Sequence, residues 1–104
     1  MEVESKYQAK LIKKIENRFP GCIVLKNDPN YIQGVPDLLV LYNNKWAALE
    51  CKRTELAHHQ PNQDFYVSSM NDMSFARFIF PENEEEVLSE LQSTFGSRRK
   101  ARVS

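Results

Sequence analysis

The sequence predicts an α/β domain: a four-stranded sheet flanked by helices, with one further helix after it. Three observations predict it. Apolar residues recur at helical spacing in three segments and form short strand-like runs in four others, in the order α-β-β-β-α-β-α. Two of the runs, Leu38 to Tyr42 and Trp46 to Leu49, flank Asn43-Asn44, and Asn tolerates the positive φ of a tight hairpin turn. Near Leu38 to Leu41 the hairpin is apolar on both faces, so helices are expected to cover the sheet from both sides.

In chain order, Val3, Tyr7, Leu11, Ile15 and Phe19 share a helical stripe broadened by Ile12. Val3 to Phe19 therefore reads as an amphipathic helix, ended by Pro20-Gly21. Cys22 to Lys26 is the first strand, and the turn-rich stretch Asn27 to Gly34 is a loop carrying Tyr31. After the hairpin the chain turns polar through His58-His59-Gln60. Pro61 suits the first turn of a helix over Asn62 to Met73, with Tyr66, Met70 and Met73 on one face. Phe75 to Phe80 is the fourth strand. Asn83 caps the last helix, whose first turn carries Glu84, Glu85 and Glu86, where the helix dipole favours acid. Val87, Leu88, Leu91 and Phe95 form its buried stripe, and Gly96 stops it. Trp46, Met70 and Met73 read as core.

At 104 residues, 41% hydrophobic and 27% charged, the chain is expected to form one domain over residues 1–96. Residues 97–104, with Arg98, Arg99 and Lys100, are expected to form a mobile basic tail. Formal net charge is zero, so any surface for a polyanion must be local. The two cysteines, Cys22 and Cys51, have neither C-x-x-C nor zinc-ligand spacing and read as buried free thiols of a reducing compartment. Met1-Glu2-Val3-Glu4 is acidic, unlike a signal peptide, and no apolar run reaches the ~18 residues of a membrane span. A soluble cytoplasmic protein is the expectation.

One end of the hairpin does not read as core. With the turn at Asn43-Asn44, Leu39 opposes Ala48 and Asp37 opposes Glu50, and directly opposed side chains sit roughly 4.5–5.5 Å apart at Cβ. Lys52 lies on the same face because side chains alternate along a strand. Two carboxylates and one amine thus converge where like charges would repel, and a divalent cation explains that arrangement.

Pro36-Asp37, a strand, then Glu50-Cys51-Lys52, set in the order αβββαβ, resembles the PD-(D/E)XK nuclease superfamily. Gly34-Val35-Pro36-Asp37, Glu50-Cys51-Lys52 and Gln63 opening the next helix are similar to the compact stand-alone VRR-NUC nucleases of phages and bacteria. The resemblance spans roughly Glu4 to Glu82. It implies a restriction-endonuclease-like αβββαβ core with a mixed four-stranded sheet, plus the C-terminal helix. It also implies Mg²⁺ or Mn²⁺ held by Asp37, Glu50 and the Cys51 carbonyl, hard oxygen donors suited to such ions. Lys52 would orient or deprotonate the nucleophile, and Gln63 would lie beside the centre. A further acid from the first helix is implied, with Glu4 the candidate and Gln8, one turn on, its competitor.

Lys26, Arg53 and the tail cations Arg98, Arg99 and Lys100 are candidate phosphate contacts. His58 and His59 read as surface loop residues, since neighbours point apart and no third ligand is evident. By resemblance the protein is a metal-dependent endodeoxyribonuclease acting on branched, Holliday-junction-like DNA as a homodimer. A nicking or non-specific DNase of the same fold, and a catalytically silent nucleic-acid or protein-binding module, are the alternatives.

Overall fold

The structure, a computed structural model, describes residues 4–96. Val3 and the tail cations Arg98, Arg99 and Lys100 lie outside the described residues. The order is α1 (Glu4–Arg18), β1 (Ile23–Lys26), β2 (Leu38–Tyr42), β3 (Lys45–Cys51), α2 (Gln63–Met73), β4 (Ala76–Ile79) and α3 (Glu84–Phe95). The four strands form one sheet in the order β1-β2-β3-β4. β1, β2 and β3 are antiparallel neighbours, and β4 joins β3 in parallel through the α2 crossover, so the sheet is mixed.

The hairpin has the expected register: Leu39 pairs with Ala48 and Tyr42 with Lys45. Asn43 takes a φ of 56°, which lets two residues reverse the chain. Side-chain alternation then divides the sheet. Leu38, Val40, Tyr42, Ala47, Leu49 and Cys51 point to one face and pack with Tyr7, Leu11 and Ile15 of α1 and Val87, Leu88 and Leu91 of α3. Fully burying an aliphatic side chain of this size stabilises the fold by about 1.5–3 kcal/mol, so this layer dominates stability. Phe19, Tyr42 and Phe95 close it with ring centroids 5.3–5.7 Å apart. Tyr7 donates to Glu84, and Lys14 and Arg18 pair with Glu84 and Glu85, which sets α1 beside α3.

The opposite face is covered less than expected. α2 lays Val67 on Ala48 and Ala76, with Trp46, Met70 and Phe78 around them, and so roofs β3 and β4. β1 has no such roof: Ile23 is 56% and Leu25 44% exposed. Met73, expected in the core, is 73% exposed, because Val67 and Met70 already fill the α2 contact and Met73 falls on the flank of the helix. No helix among the described residues is long and apolar enough to cross a membrane.

Two caps also differ from expectation. Asn83 stands at the start of α3 without bonding its first turn; its side chain accepts from Phe80 N and donates to Phe78 O, pinning the turn after β4. Pro61 precedes α2 instead of opening it, and Asn62 is the cap residue in left-handed conformation, φ 74°. Asn62 also meets the loop between β1 and β2. A Cβ on Gly34 would stand 2.6 Å from Asn62 Cβ and 3.0 Å from Pro61 O, and Gly34 has φ +97°. The two loops therefore touch through a position that has no room for a side chain. Gly34→Ala should cost about 2 kcal/mol or more in denaturant unfolding. Gly21→Ala shares the positive φ (+92°) but meets open space, so it should cost only about 1 kcal/mol. Equal costs would show that the loop contact is dispensable.

Candidate active site

Alternation along β2 and β3 puts Asp37, Glu50 and Lys52 on the α2 side of the sheet, at the end where β3 finishes and β2 begins. Asp37 is held from both sides. Asn27 N donates to Asp37 O at 2.8 Å and Asn27 Nδ2 to Pro36 O at 2.7 Å, which carries the β1–β2 pairing one step past Lys26 and Leu38. Asp37 N donates to Glu50 Oε1 at 3.2 Å, while Cys51 N donates to Asp37 Oδ2 at 2.9 Å. The two opposed carboxyl groups are thus locked by each other's strand.

Glu50 is 2% and Lys52 5% exposed. Gln63, at the first turn of α2, bridges them: its Nε2 donates to Glu50 Oε2 at 2.6 Å, and its Oε1 accepts from Lys52 Nζ at 2.7 Å. A carboxylate only accepts and an ammonium only donates, so the amide orientation is fixed by its partners. Lys52 Nζ also donates to the His58 carbonyl at 3.0 Å and lies 3.8 Å from Glu50 Oε2.

Glu4 arrives from α1 on the other side of the sheet. One oxygen from each of Glu4, Asp37 and Glu50 lies within 4.8 Å of the others. These groups, with Ser5, Gln8, Arg53 and Gln60, line a cleft of about 530 Å³. Burial and then the neighbouring Asp37 push the Glu50 carboxyl up to about 8. Burial raises Asp37 as well, against the Cys51 N–H and Lys52, and burial followed by Asp37 raises Glu4. Three carboxyls held above their ordinary range by burial and by one another make a site short of positive charge. A hard divalent cation fits that donor set, which is all oxygen. Cys51 N points toward Asp37, while Lys52 N bonds Ile79 O across β4. The N–H and C=O of an extended residue face the same side, so the Cys51 carbonyl is aimed toward the Asp37 side.

Other sequence candidates fall differently. Gln8 lines the cleft and hydrogen-bonds the Cys51 thiol, so both competitors from α1 reach the site, with Glu4 the one beside the carboxyls. Arg53 is exposed on the cleft wall. Lys26, exposed at the end of β1, is close enough to favour the ionised form of Asp37. Arg98, Arg99 and Lys100 are outside the described residues.

His59 is not a bare surface residue. Its ring stacks on Phe78 with centroids 4.2 Å apart, and Nδ1 donates to Asp64 Oδ1 at 2.8 Å. Its neighbours on either side carry the site: His58 O takes the Lys52 proton donor, and Gln60 N donates to Gln63 Oε1 at 2.9 Å. Sequence reasoning missed this residue and Asn27. The one available signal for His59 was Asp64, an acceptor inside the first helical turn.

No protein-family model matches the chain, and no curated protein matches it in sequence. A solved structure described as a VRR_NUC domain superposes with a TM-score of 0.59 at 21% identity, covering 78% of this chain and 92% of that one. The fold is VRR-NUC-like. It is the α/β, restriction-endonuclease-like arrangement expected from the motif order, with the mixed sheet and helices on both faces.

Two outcomes test the geometry itself. In metal-free buffer, the native Glu50 carboxyl keeps its proton up to about 8, whereas the unfolded chain releases it near 4.5. The group therefore costs nothing below pH 4.5 and destabilises increasingly as pH rises to 8, then by a constant amount. The stability of Glu50→Gln minus that of the parent should grow by at least ~1.4 kcal/mol between pH 5 and 8, one pKa unit's worth. A flat difference refutes the burial-driven shift. Separately, His59→Ala should speed amide hydrogen exchange at Gln60 by about tenfold through loss of the ring stack, with the β2–β3 amides unchanged. Unaltered exchange at Gln60 removes His59 from the support of the site.

Proposed function

We propose that this protein is a Mg²⁺- or Mn²⁺-dependent endodeoxyribonuclease that hydrolyses phosphodiester bonds. The observation that carries the reading is the convergence of Glu4, Asp37 and Glu50 with buried Lys52 on an open cleft. Core packing does not ask for three carboxyls and an ammonium at one sheet end. The VRR-NUC-like fold adds support, since the described neighbour is named for a nuclease domain.

Glu4, Asp37, Glu50 and the Cys51 carbonyl are the groups that would hold the ion. What a bound ion supplies is Lewis-acid polarisation of a phosphoryl oxygen and a lower pKa for water. Lys52 has two of its three N–H donors committed to His58 O and Gln63 Oε1. The third is left to orient the attacking water or a phosphate oxygen. Gln63 acts as a positioning residue, because both ends of its amide already hold Lys52 and Glu50. Arg53 and Lys26 are the nearest cations for flanking phosphates.

Among DNA substrates we infer branched DNA, four-way junctions foremost, cut by two copies of the chain. The support is the resemblance together with charge. A chain of zero formal net charge holds few phosphates alone, and a pair doubles Lys26, Arg53 and the tail cations. The unpaired Cys22 and Cys51 suit the reducing cytoplasmic compartment in which such a reaction would run.

Labelled duplex, single-stranded, flap and four-way DNA incubated with Mn²⁺ provides the test. Asp37→Asn keeps an oxygen for Cys51 N, so it should fold, yet lose about 100-fold or more in cleavage rate; Lys52→Met should do likewise. Wild-type rates in both variants overturn the assignment. Equal cutting of duplex and junction leaves a non-specific DNase, and no cutting of any substrate leaves a binding module.

A further inference from the structure

We infer that the uncovered half of the sheet, β1 and β2 on the α2 side, is the surface on which a second copy of this chain docks. Burial falls steadily away from α2 across this face. Ala48 on β3 is fully covered, Leu39 and Leu41 on β2 are half-buried, and Leu25 and Ile23 on β1 are 44% and 56% exposed. α2 supplies a wall to this floor. Asn71 bonds Ala76 N and Arg77, and Asp64 holds His59 on Phe78, so that flank of the helix faces the β4 edge. Helical spacing puts Phe65 and Met73 on the opposite flank, overlooking β2 and β1, and they are 63% and 73% exposed.

The six side chains of floor and wall are all apolar and uncharged. Such a face offers no counter-charge to phosphates or to a charged peptide, whereas two copies of it meet without repulsion. The four most exposed members leave on the order of 450 Å² of apolar surface, at the level where patches on monomers are commonly functional. That is more than half of the ~800 Å² each partner buries in a standard interface. The shape is self-complementary: across a two-fold axis, the α2 wall of each copy sits on the β1 floor of the other. None of the six lines the carboxylate cleft, so docking leaves both clefts accessible. The inference deepens the pairing in the proposed function and rests on that reading for its use, but not for its geometry.

Sedimentation of the full chain up to the ~100 µM range tests it. The wild type should be a dimer. Leu25→Lys and Phe65→Glu should each weaken dimerisation by about 30-fold or more while leaving the far-ultraviolet circular dichroism unchanged. Mixing the two variants should restore dimers, because the introduced charges oppose one another across the wall-to-floor contact; Ile23→Lys stands in should Leu25→Lys fail to fold. A wild-type monomer overturns this inference and the pairing together. Dimers that survive both variants overturn this surface and leave pairing intact. Dimers without cleavage support the surface while counting against the nuclease reading.

Discussion

The rest of the structure depends on keeping Glu50 buried next to Asp37. Two carboxyls on opposed strands repel, and burial penalises charge on either, so this sheet end would relax if it could. It is over-determined instead. Asp37 N and Cys51 N cross-link the pair, Asn27 extends the sheet to hold Pro36 and Asp37 in line, and Gln63 fixes Glu50 from above. Gly34 brings the preceding loop against Asn62, which starts the helix that carries Gln63. A protein that spends so many hydrogen bonds on an unfavourable charge arrangement is preserving a geometry.

That geometry belongs to the end of the sheet, where its two faces meet. Along the strands, α1 and α2 are separated by the sheet and share no side chains in either apolar cluster. At the terminus of β3 the separation ends. Glu4 reaches the group from the α1 side and Gln63 from the α2 side, each from the first turn of its helix. The stable layer of Leu11, Ile15, Leu38, Leu49 and Leu91 fixes the strands. The polar groups then sit on a rigid frame rather than on mobile loops, apart from the segment through His58, His59 and Gln60. The Phe78 stack ties that segment down.

The hairpin and its acid pair were legible because a strand has a side-chain period of two. Once Asn43-Asn44 sets the turn, every opposition from Tyr42 and Lys45 down to Asp37 and Glu50 follows. Helix faces were legible less fully. Periodicity says that Val67, Met70 and Met73 lie near one another, but not how wide a strip of sheet α2 covers, and the strip stops before Met73. Ile23 and Leu25 look like core for the same reason: apolar alternation cannot tell a roofed strand from an edge strand left open on one face. Asn27, Asn83 and His59 escaped because each acts through hydrogen bonds or a ring contact with backbone or residues set by tertiary packing. Short-range sequence rules assign such residues to turns, caps and surface.

The two unusual surfaces of the molecule pull in different directions, and their separation matters for the proposed function. The cleft is acidic: Glu4, Asp37 and Glu50 face Lys52, which is buried and already engaged, and Arg53 on the wall. A polyanion meets net repulsion there until positive charge is added, so ion and substrate would bind in that order and not independently. The apolar face on β1 and β2 carries no charge and leaves the cleft untouched. Association there would add cations to the substrate-binding assembly without altering the electrostatics that make the cleft selective for an ion. A neutral chain can in this way hold a charged substrate through its assembly while keeping an acidic centre.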